Sequence, residues 1–265
     1  MINSLDKVLE NLIDISRKAG NEILDVYKGS FEITLKDDLS PLTDADRRAN
    51  TVITSMLESL YPEIPILSEE GKEIGFSERS NWDLFWLVDP LDGTKEFVKR
   101  NGEFTVNIAL IKNQLPIAGI VYAPTKETFW YGAEGVGSYK MSENFPPIRI
   151  SVENDITSAI RIVSSRSHPS PKLELYLSRF DDHEIVNMGS SLKICLVADS
   201  SAHIYPRLGP TMEWDSGAGH AVLKFAGGEL INRDTGEELI YNKEILKNPD
   251  FICYSPKVKD VYEVL

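Results

Sequence analysis

Residues 85–94 read FWLVDPLDGT, an apolar run that ends in two carboxylates, a proline and a glycine. The apolar part predicts a buried β-strand, and polar groups after such a strand commonly carry chemistry. Asp89 and Asp92 stand three residues apart across a Pro-Leu step. Because Pro90 fixes φ, we expect the chain to turn sharply here. Both carboxylates would then face one point, with the Leu91 carbonyl beside them.

The two residues after this pair suit an anion. Gly93 allows the backbone to come close to a phosphate, and Thr94 stands next to it. Residues 93–100 predict a short helix, whose N-terminal amides would favour a negative charge at the same point. Asp-Pro and Asp-Gly steps are also ordinary turn signals, so a plain surface turn is the alternative for this stretch alone.

Two further acidic sites follow apolar residues elsewhere in the chain. Glu69 and Glu70 come after a short apolar run, and Asp215 stands at a predicted helix start. Taken alone, the glutamate pair is typical of a solvated loop, and Asp215 is typical of a helix N-cap. Together with the carboxylates of residues 85–94, they offer the oxygen ligands that Mg2+ prefers.

The composition limits the classes of molecule that this chain is expected to bind. The chain has 265 residues and a formal net charge of −13, so it repels a nucleic-acid polymer. A small phosphorylated substrate would be repelled too, unless bound metal ions reverse the local field. Cys195 and Cys253 are the two cysteines, which predicts reduced thiols rather than a disulfide framework. Without a long apolar run or a signal-peptide pattern, we expect a cytoplasmic protein that has no transmembrane helix.

The hydrophobic pattern predicts alternating helices and strands. An amphipathic helix covers residues 5–27, and a second helix follows Thr43, which forms a variant capping box with Asp46. Strands are predicted over residues 64–67, 84–88, 104–111, 115–122 and 128–131. The proline pair in residues 142–147 suggests a domain boundary. Beyond it, strands near 161–164, 184–187 and 203–205 alternate with helices near 173–180, 191–198 and 214–225, which favours an α/β domain.

These motifs together resemble the signature set of the inositol monophosphatase superfamily. The matching residues are the string 40–46 (SPLTDAD), Glu69-Glu70, the string 86–94, and Trp214-Asp215 with Ala218-Gly219 behind it. Their order and spacing agree along nearly the whole chain. Within the superfamily, the chain looks most like the bacterial 3′(2′),5′-bisphosphate nucleotidases, on the strings 94–97, 100–107, 165–168, 189–193 and 205–207.

The resemblance implies a mixed α/β (α+β) fold, a two-domain αβαβα layered sandwich. Residues 1–145 would carry most metal ligands, and residues 146–265 would carry Asp215 and the contacts to the substrate phosphate. It also implies two to three Mg2+ ions in each active site. The implied ligands are Glu69, Asp89 and the Leu91 carbonyl for the first ion, Asp89, Asp92 and Asp215 for the second, and Glu69 with waters for a weaker third. The implied catalytic residues are Asp46, Glu69 and Thr94, of which Asp46 and Thr94 orient the attacking water.

The implied reaction is hydrolysis of the 3′-phosphate of adenosine 3′,5′-bisphosphate, with phosphoadenosine phosphosulfate as a second substrate. The implied substrate contacts are Glu69, Leu91, Asp92, Gly93, Thr94, His168, Ser191, Lys193, Arg207 and Asp215. Metals at one phosphate cannot reach the other, so Lys193 offers a point charge, Arg207 a bidentate clamp and His168 a donor. The plainer alternatives are a surface lysine, a structural ion pair and a loop histidine.

Other functions stay open at this point. Inositol phosphate or fructose 1,6-bisphosphate are alternative substrates, and a non-catalytic metal or anion sensor is an alternative of another class. Gly132, Gly135 and Gly137 do not form G-x-G-x-x-G, which disfavours a dinucleotide-binding protein. The resemblance also allows a homodimer, and it allows a location at the cytoplasmic face of the inner membrane as well as in the cytoplasm.

Overall fold

Helices and strands alternate through the computed structural model, which describes residues 4–29, 33–35, 41–142, 144–152, 159–165 and 171–261. The helices are α1 (Leu5–Lys28), α2 (Asp44–Leu60), α3 (Phe76–Arg79), α4 (Thr94–Val98), α5 (Pro171–Leu177), α6 (Leu192–Ala198), α7 (Glu213–Phe225) and α8 (Pro256–Val261). The first nine strands are β1 (Ile33–Leu35), β2 (Pro41–Thr43), β3 (Ile66–Ser68), β4 (Leu84–Asp92), β5 (Thr105–Lys112), β6 (Leu115–Ala123), β7 (Thr128–Ala133), β8 (Gly137–Ser142) and β9 (Ile148–Ile150). The others are β10 (Ile160–Ser165), β11 (His183–Met188), β12 (Ile204–Arg207), β13 (Glu229–Asn232) and β14 (Phe251–Tyr254).

Most of these strands belong to two sheets. Strands β3 to β9 form a seven-stranded sheet in chain order, antiparallel except for the parallel pair β3 and β4. The second sheet has the order β11-β10-β12-β14-β13. Its first three strands are parallel, and β14 is antiparallel to both of its neighbours. The short strands β1 and β2 pair separately.

The helices pack in three layers around the sheets. Helices α1 and α2 cover one face of the seven-stranded sheet with apolar side chains such as Leu12, Ile23 and Ile53. Helices α6 and α7 fill the space between the two sheets. Tyr176 of α5 and Val258 of α8 pack on the remaining face of the five-stranded sheet. This order of layers confirms the predicted αβαβα sandwich.

Local sequence signals account for the first two helices. Helix α1 begins after the N-cap Ser4, and the predicted capping box of Thr43 and Asp46 is present at the start of α2. The segment 142–147 connects β8 to β9, which pair with each other, and the division between residues 145 and 146 stays a prediction. The pattern missed the short elements β1, β2, α3, β8, β9, β13, β14 and α8, since runs of three to six residues carry little periodicity.

The expected sharp turn at Pro90 is wrong, because β4 continues through this residue to Asp92. Asp89 pairs with Asn107 and Asp92 pairs with Thr105, so three steps along β4 oppose two along β5. This is a β-bulge, and it places one extra residue on β4. In a regular strand, residues three apart point to opposite faces of the sheet. The bulge therefore brings both carboxylates to the same face of the sheet. The sequence predicted this convergence, but from a sharp turn rather than from a bulge.

Helix α7 lies against β6 through a glycine. A Cβ atom at Gly119 would come within 2.7 Å of Ala221 Cβ and 2.9 Å of the Ala218 carbonyl oxygen. Only a residue without a side chain allows this contact between backbone and helix. The same helix carries Asp215 in its first turn, so the contact contributes to the position of that carboxylate. None of the described helices is long and apolar enough to cross a membrane.

We expect Gly119→Ala to lower the free energy of unfolding by about 1–3 kcal/mol, because the added methyl group overpacks a backbone contact. Gly75→Ala is the matched control, since a Cβ atom there would meet its nearest neighbour, Ser77 Oγ, only at 3.8 Å. Its effect should stay within about 0.5 kcal/mol. Chemical denaturation of both variants tests this, and equal stability of the two would contradict the packing argument.

Candidate active site

A cavity of about 600 Å³ opens at the end of β4, beside the start of α6 and the first turn of α7. It is lined by ten of the predicted residues: Glu69, Asp89, Leu91, Asp92, Gly93, Thr94, Ser191, Lys193, Arg207 and Asp215. Asp46 lies behind this lining and reaches it through Thr94. His168 lies outside the described residues. The fold thus brings together side chains that are far apart in the sequence.

The carboxylates form the acidic side of the cavity. One oxygen from each of Glu69, Asp89 and Asp215 lies within 4.8 Å of the other two. Asp89 is almost fully buried, and Asp92 lies next to it beyond the bulge. These groups offer hard oxygen donors without sulfur or nitrogen, the kind of ligand set that suits Mg2+.

Burial and, after it, mutual repulsion raise the pKa values of two of these acids. Burial, followed by the charges of Glu69, Asp92 and Asp215, raises the pKa of Asp89 well above its ordinary value. Burial and the charge of Asp92 raise the pKa of Asp215 to about 8, although the Met212 amide acts in the opposite direction. A divalent cation would relieve this repulsion because it reverses the local field. The residues present therefore fit a divalent metal centre.

Asp215 lies at a helix start, as predicted, but it is not the N-cap. Helix α7 begins at Glu213 with Met212 as the N-cap, so Asp215 is the third helical residue. Its Oδ2 accepts a hydrogen bond from the Met212 amide at 2.9 Å. The carboxylate reaches back over the helix start, as the acidic member of a capping box does. This bond fixes the side chain where one of its oxygens lies within 4.8 Å of oxygens of Glu69 and Asp89.

Asp46 and Thr94 form a second pair at the edge of the cavity. Asp46 Oδ2 accepts hydrogen bonds from the amide and the hydroxyl of Thr43, both at 2.7 Å. Thr94 Oγ1 lies 3.4 Å from Asp46 Oδ1 and 3.4 Å from the Leu91 carbonyl oxygen. The helix cap thus holds Asp46 rigidly, with one oxygen toward the threonine.

Gly93 adopts the left-handed conformation, with φ of +92°. A Cβ atom there would lie 3.1 Å from the Glu103 carbonyl oxygen and 3.3 Å from Ser190 Cβ. The glycine is therefore required by the protein's own close packing as well as by its backbone angle. Helix α4 begins at the next residue and is shorter than the predicted 93–100.

Lys193 and Arg207 form the basic side of the cavity. Lys193 is 7% exposed, which excludes the alternative of a surface lysine. Its ammonium donates a hydrogen bond to the Ser190 carbonyl and lies 5.6 Å from the ring centre of Tyr205. Burial lowers the pKa of Lys193 to about 8, while the negative charge of Asp92 acts against this shift. Arg207 donates to the Pro210 carbonyl oxygen at 2.7 Å.

The sequence analysis gave no role to Thr105 and Asn107. Both are buried in β5, and their side chains are bonded to each other and to the loop before α6. The signal was present, since they are the polar residues in a predicted strand that is otherwise apolar. Glu213 was also missed: it is fully buried and accepts a hydrogen bond from the Asn242 amide at 2.5 Å.

Comparison with known proteins identifies the family. The model of the inositol monophosphatase family matches residues 4–261. The chain belongs to the inositol monophosphatase family. It is 44% identical to the 3′(2′),5′-bisphosphate nucleotidase CysQ of Salmonella typhimurium, over 92% of this chain and 98% of the relative. The CysQ protein of Escherichia coli gives the same identity and coverage.

The family fold agrees with a solved structure. The crystal structure of CysQ from Bacteroides thetaiotaomicron superposes with a TM-score of 0.83 at 43% identity, covering 93% of this chain and 96% of that one. The family and the layered fold that the motifs implied are thereby confirmed.

In metal-free protein, we expect Asp89→Asn to raise the melting temperature, because it removes one of the crowded charges. The pKa values of Asp89 and Asp215 are higher in the folded protein than in the unfolded chain. These groups therefore stabilise the fold fully only at a pH below their pKa values in the unfolded chain. This stabilisation is lost as the pH rises through their pKa values in the folded protein. The gain of the variant should therefore be small near about pH 5 and larger near about pH 8.

Thermal unfolding in a chelator across this pH range measures the effect. Asp181→Asn, an exposed change of the same kind, is the control and should leave the melting temperature unchanged at each pH. An Asp89→Asn gain that stays constant with pH would contradict the crowding of charge at this site.

Proposed function

We propose that this chain is a Mg2+-dependent phosphatase that removes the 3′-phosphate from adenosine 3′,5′-bisphosphate, yielding AMP and phosphate. The observation that carries the proposal is one cavity with an acidic cluster on one side and two cations, Lys193 and Arg207, on the other. A bisphosphate substrate needs the acidic cluster, to hold metal ions at the phosphate that is cleaved, and the two cations, to bind the other phosphate. The relatives at 44% identity are named as nucleotidases for such substrates, which supports the same chemistry here.

The acidic side would hold two to three Mg2+ ions. We assign Glu69, Asp89 and the Leu91 carbonyl to the first, Asp89, Asp92 and Asp215 to the second, and Glu69 to a weaker third. When bound, such ions neutralise charge on the phosphate and make a water more acidic. The short distances among the carboxylate oxygens and the raised pKa values support this assignment.

Thr94, Asp46 and Glu69 would position the attacking water. The Thr94 hydroxyl lies at the cavity wall with Asp46 behind it, so its proton can point to Asp46 while its lone pair faces the water. Asp46 keeps its place because the α2 cap holds its other oxygen. The assembled pair also disfavours a non-catalytic sensor, which has no need of a water-orienting group.

Lys193 and Arg207 would bind the phosphate that is not cleaved. Both donate to main-chain carbonyl groups, which leaves their positive charges uncompensated by those partners. The remaining substrate contacts that we propose are Gly93, Ser191 and His168, the last on sequence grounds alone. Phosphoadenosine phosphosulfate, which has the same 3′-phosphate, is a second proposed substrate.

The assembly and the location of the protein stay predictions from the sequence. These are a division into domains at residues 1–145 and 146–265, a homodimer as the alternative to a monomer, and a cytoplasmic site or the cytoplasmic face of the inner membrane.

We expect phosphate release from adenosine 3′,5′-bisphosphate to be lost in excess EDTA and to return when Mg2+ is added in excess over the chelator. The reason is that oxygens of Glu69, Asp89 and Asp215 lie within 4.8 Å of one another, where a divalent cation would neutralise their charge. Thermal unfolding in EDTA is the control for a folded protein. Full turnover in EDTA would refute the metal mechanism.

Removal of the basic side should affect the bisphosphate selectively. A hydrogen bond to a charged group is worth about 1.5–3 kcal/mol, so its loss should lower kcat/KM about tenfold to a hundredfold. We expect this for Lys193→Met, which keeps the buried volume, and for Arg207→Ala. Activity on 3′-AMP, which lacks the second phosphate, should change far less.

The measurement compares both substrates at the same Mg2+ concentration, with the exposed change Lys112→Ala as the control. Equal losses on the two substrates would assign these residues to the core site or to folding. No loss on either substrate would make inositol phosphate the better substrate to test next.

A further inference from the structure

Two polar side chains of β5 and that of Glu103, two residues before the strand, bond three consecutive residues ahead of α6. The pairs are Glu103 Oε2 with the Gly189 amide at 2.7 Å, Thr105 Oγ1 with Ser190 Oγ at 2.6 Å, and Asn107 Nδ2 with Ser191 Oγ at 2.9 Å. We call these six residues the polar ladder. Its rungs are two residues apart on one side and one residue apart on the other, which follows from the alternation of side chains along a strand.

The ladder is buried, so its bonds are strongly specified. Thr105 and Asn107 are at most 1% exposed. A buried polar group without a partner costs about 1–3 kcal/mol, which strongly disfavours other orientations. Thr105 Oγ1 also donates to Asn107 Oδ1 at 2.9 Å, and the Asn107 amide nitrogen faces Ser191.

The last rung controls a hydroxyl group at the metal site. Ser191 Oγ lies 2.6 Å from Asp92 Oδ2 and 2.7 Å from the Asp215 carbonyl oxygen. The Ser191 amide donates to the same carboxylate oxygen at 2.6 Å. A hydroxyl has one proton, and the Asn107 amide donates to its oxygen. The serine proton must therefore point toward Asp92 or the Asp215 carbonyl, and cannot turn to Asn107.

We propose that Asn107 is a positioning residue that acts through Ser191 to orient the Asp92 carboxylate for metal binding. Asn107 is also the register partner of Asp89, so it adjoins one proposed ligand directly and reaches a second, Asp92, through Ser191. The inference rests on the proposed function only in that the cluster binds Mg2+, and it does not depend on the substrate. Groups that orient metal ligands typically change metal affinity or activity 10- to 100-fold when they are removed.

The test is the dependence of the melting temperature on Mg2+ concentration, from which the Kd of Mg2+ follows without any activity assay. Asn107→Leu removes both hydrogen bonds at similar volume, and we expect its Kd to rise about tenfold or more. Ser138→Ala is the matched control, because it removes a buried hydrogen bond of the same sheet, to the Val222 carbonyl at 2.7 Å. It should lower the melting temperature and leave the Kd unchanged.

A double-variant cycle separates positioning from general damage. If Asn107 acts through Ser191, then Asn107→Leu should add little to the Kd of a Ser191→Ala protein. Thr105→Val, which leaves the asparagine in place, should raise the Kd by a smaller factor and serves if Asn107→Leu does not fold. Additive effects in the cycle, or a Kd for Asn107→Leu and Thr105→Val that matches the Ser138→Ala control, would overturn the proposal.

Measurements on the wild-type protein distinguish the proposed phosphatase function from the proposed role of Asn107. Mg2+ binding by the wild type with unaffected variants overturns the role of Asn107 alone. Mg2+ binding without hydrolysis of adenosine 3′,5′-bisphosphate overturns the substrate and leaves the role of Asn107 standing. A wild type that does not bind Mg2+ overturns both.

Discussion

Four carboxylates converge at the end of β4, and their mutual repulsion is the constraint on which the rest of the site depends. The fold holds three of them with separate donors. The Leu91 amide donates to Asp89 at 3.1 Å, the Ser191 amide donates to Asp92, and the Met212 amide donates to Asp215. Backbone amides cannot move away when the charges repel. The crowded geometry therefore persists without a cation and is ready to bind one, which is the preorganisation that electrostatic catalysis requires.

The same constraint explains how positive charge is kept in the cavity. Lys193 and Arg207 bond main-chain carbonyl groups, and within the described part of the chain neither is ion-paired with a carboxylate. A carbonyl orients a cation without neutralising it. If these cations formed ion pairs with the acidic cluster, they would neutralise the carboxylates that are proposed to bind metal. The cations would then no longer be available to bind phosphate. Main-chain partners thus orient both cations, while the charge of Asp92 still acts on Lys193.

The sequence predicted the parts of this arrangement that depend on local chemistry. Helix α2 followed from periodicity and the capping box, and the carboxylates of residues 89–92 were recognisable because they occur together with two further acidic sites that follow apolar residues. The bulge was not predictable, since it depends on the register between β4 and β5. A proline is equally suited to a turn and to a bulge, so Pro90 could not decide between them. The role of Asn107 was hidden for a similar reason, because its partner Ser191 is 84 residues away in the sequence.

The position of Asp215 shows why the site belongs to the packed layers rather than to a loop. A close packing contact and a set of buried hydrogen bonds hold the helix that carries it. At Gly119 the strand backbone meets the helix directly, and such a contact has no side chain that could adjust. At the other end, the fully buried Glu213 accepts hydrogen bonds from the amides of Asn242 and Lys243. Burial raises the pKa of Glu213, and the charge of Lys243 acts against that shift, which favours the ionised form that accepts these bonds. A shift of the helix would disrupt both the packing at Gly119 and the hydrogen bonds that Glu213 accepts. The distance from Asp215 to the other carboxylates is therefore as stable as the core itself, and metal affinity should follow the packing of α7 between the sheets.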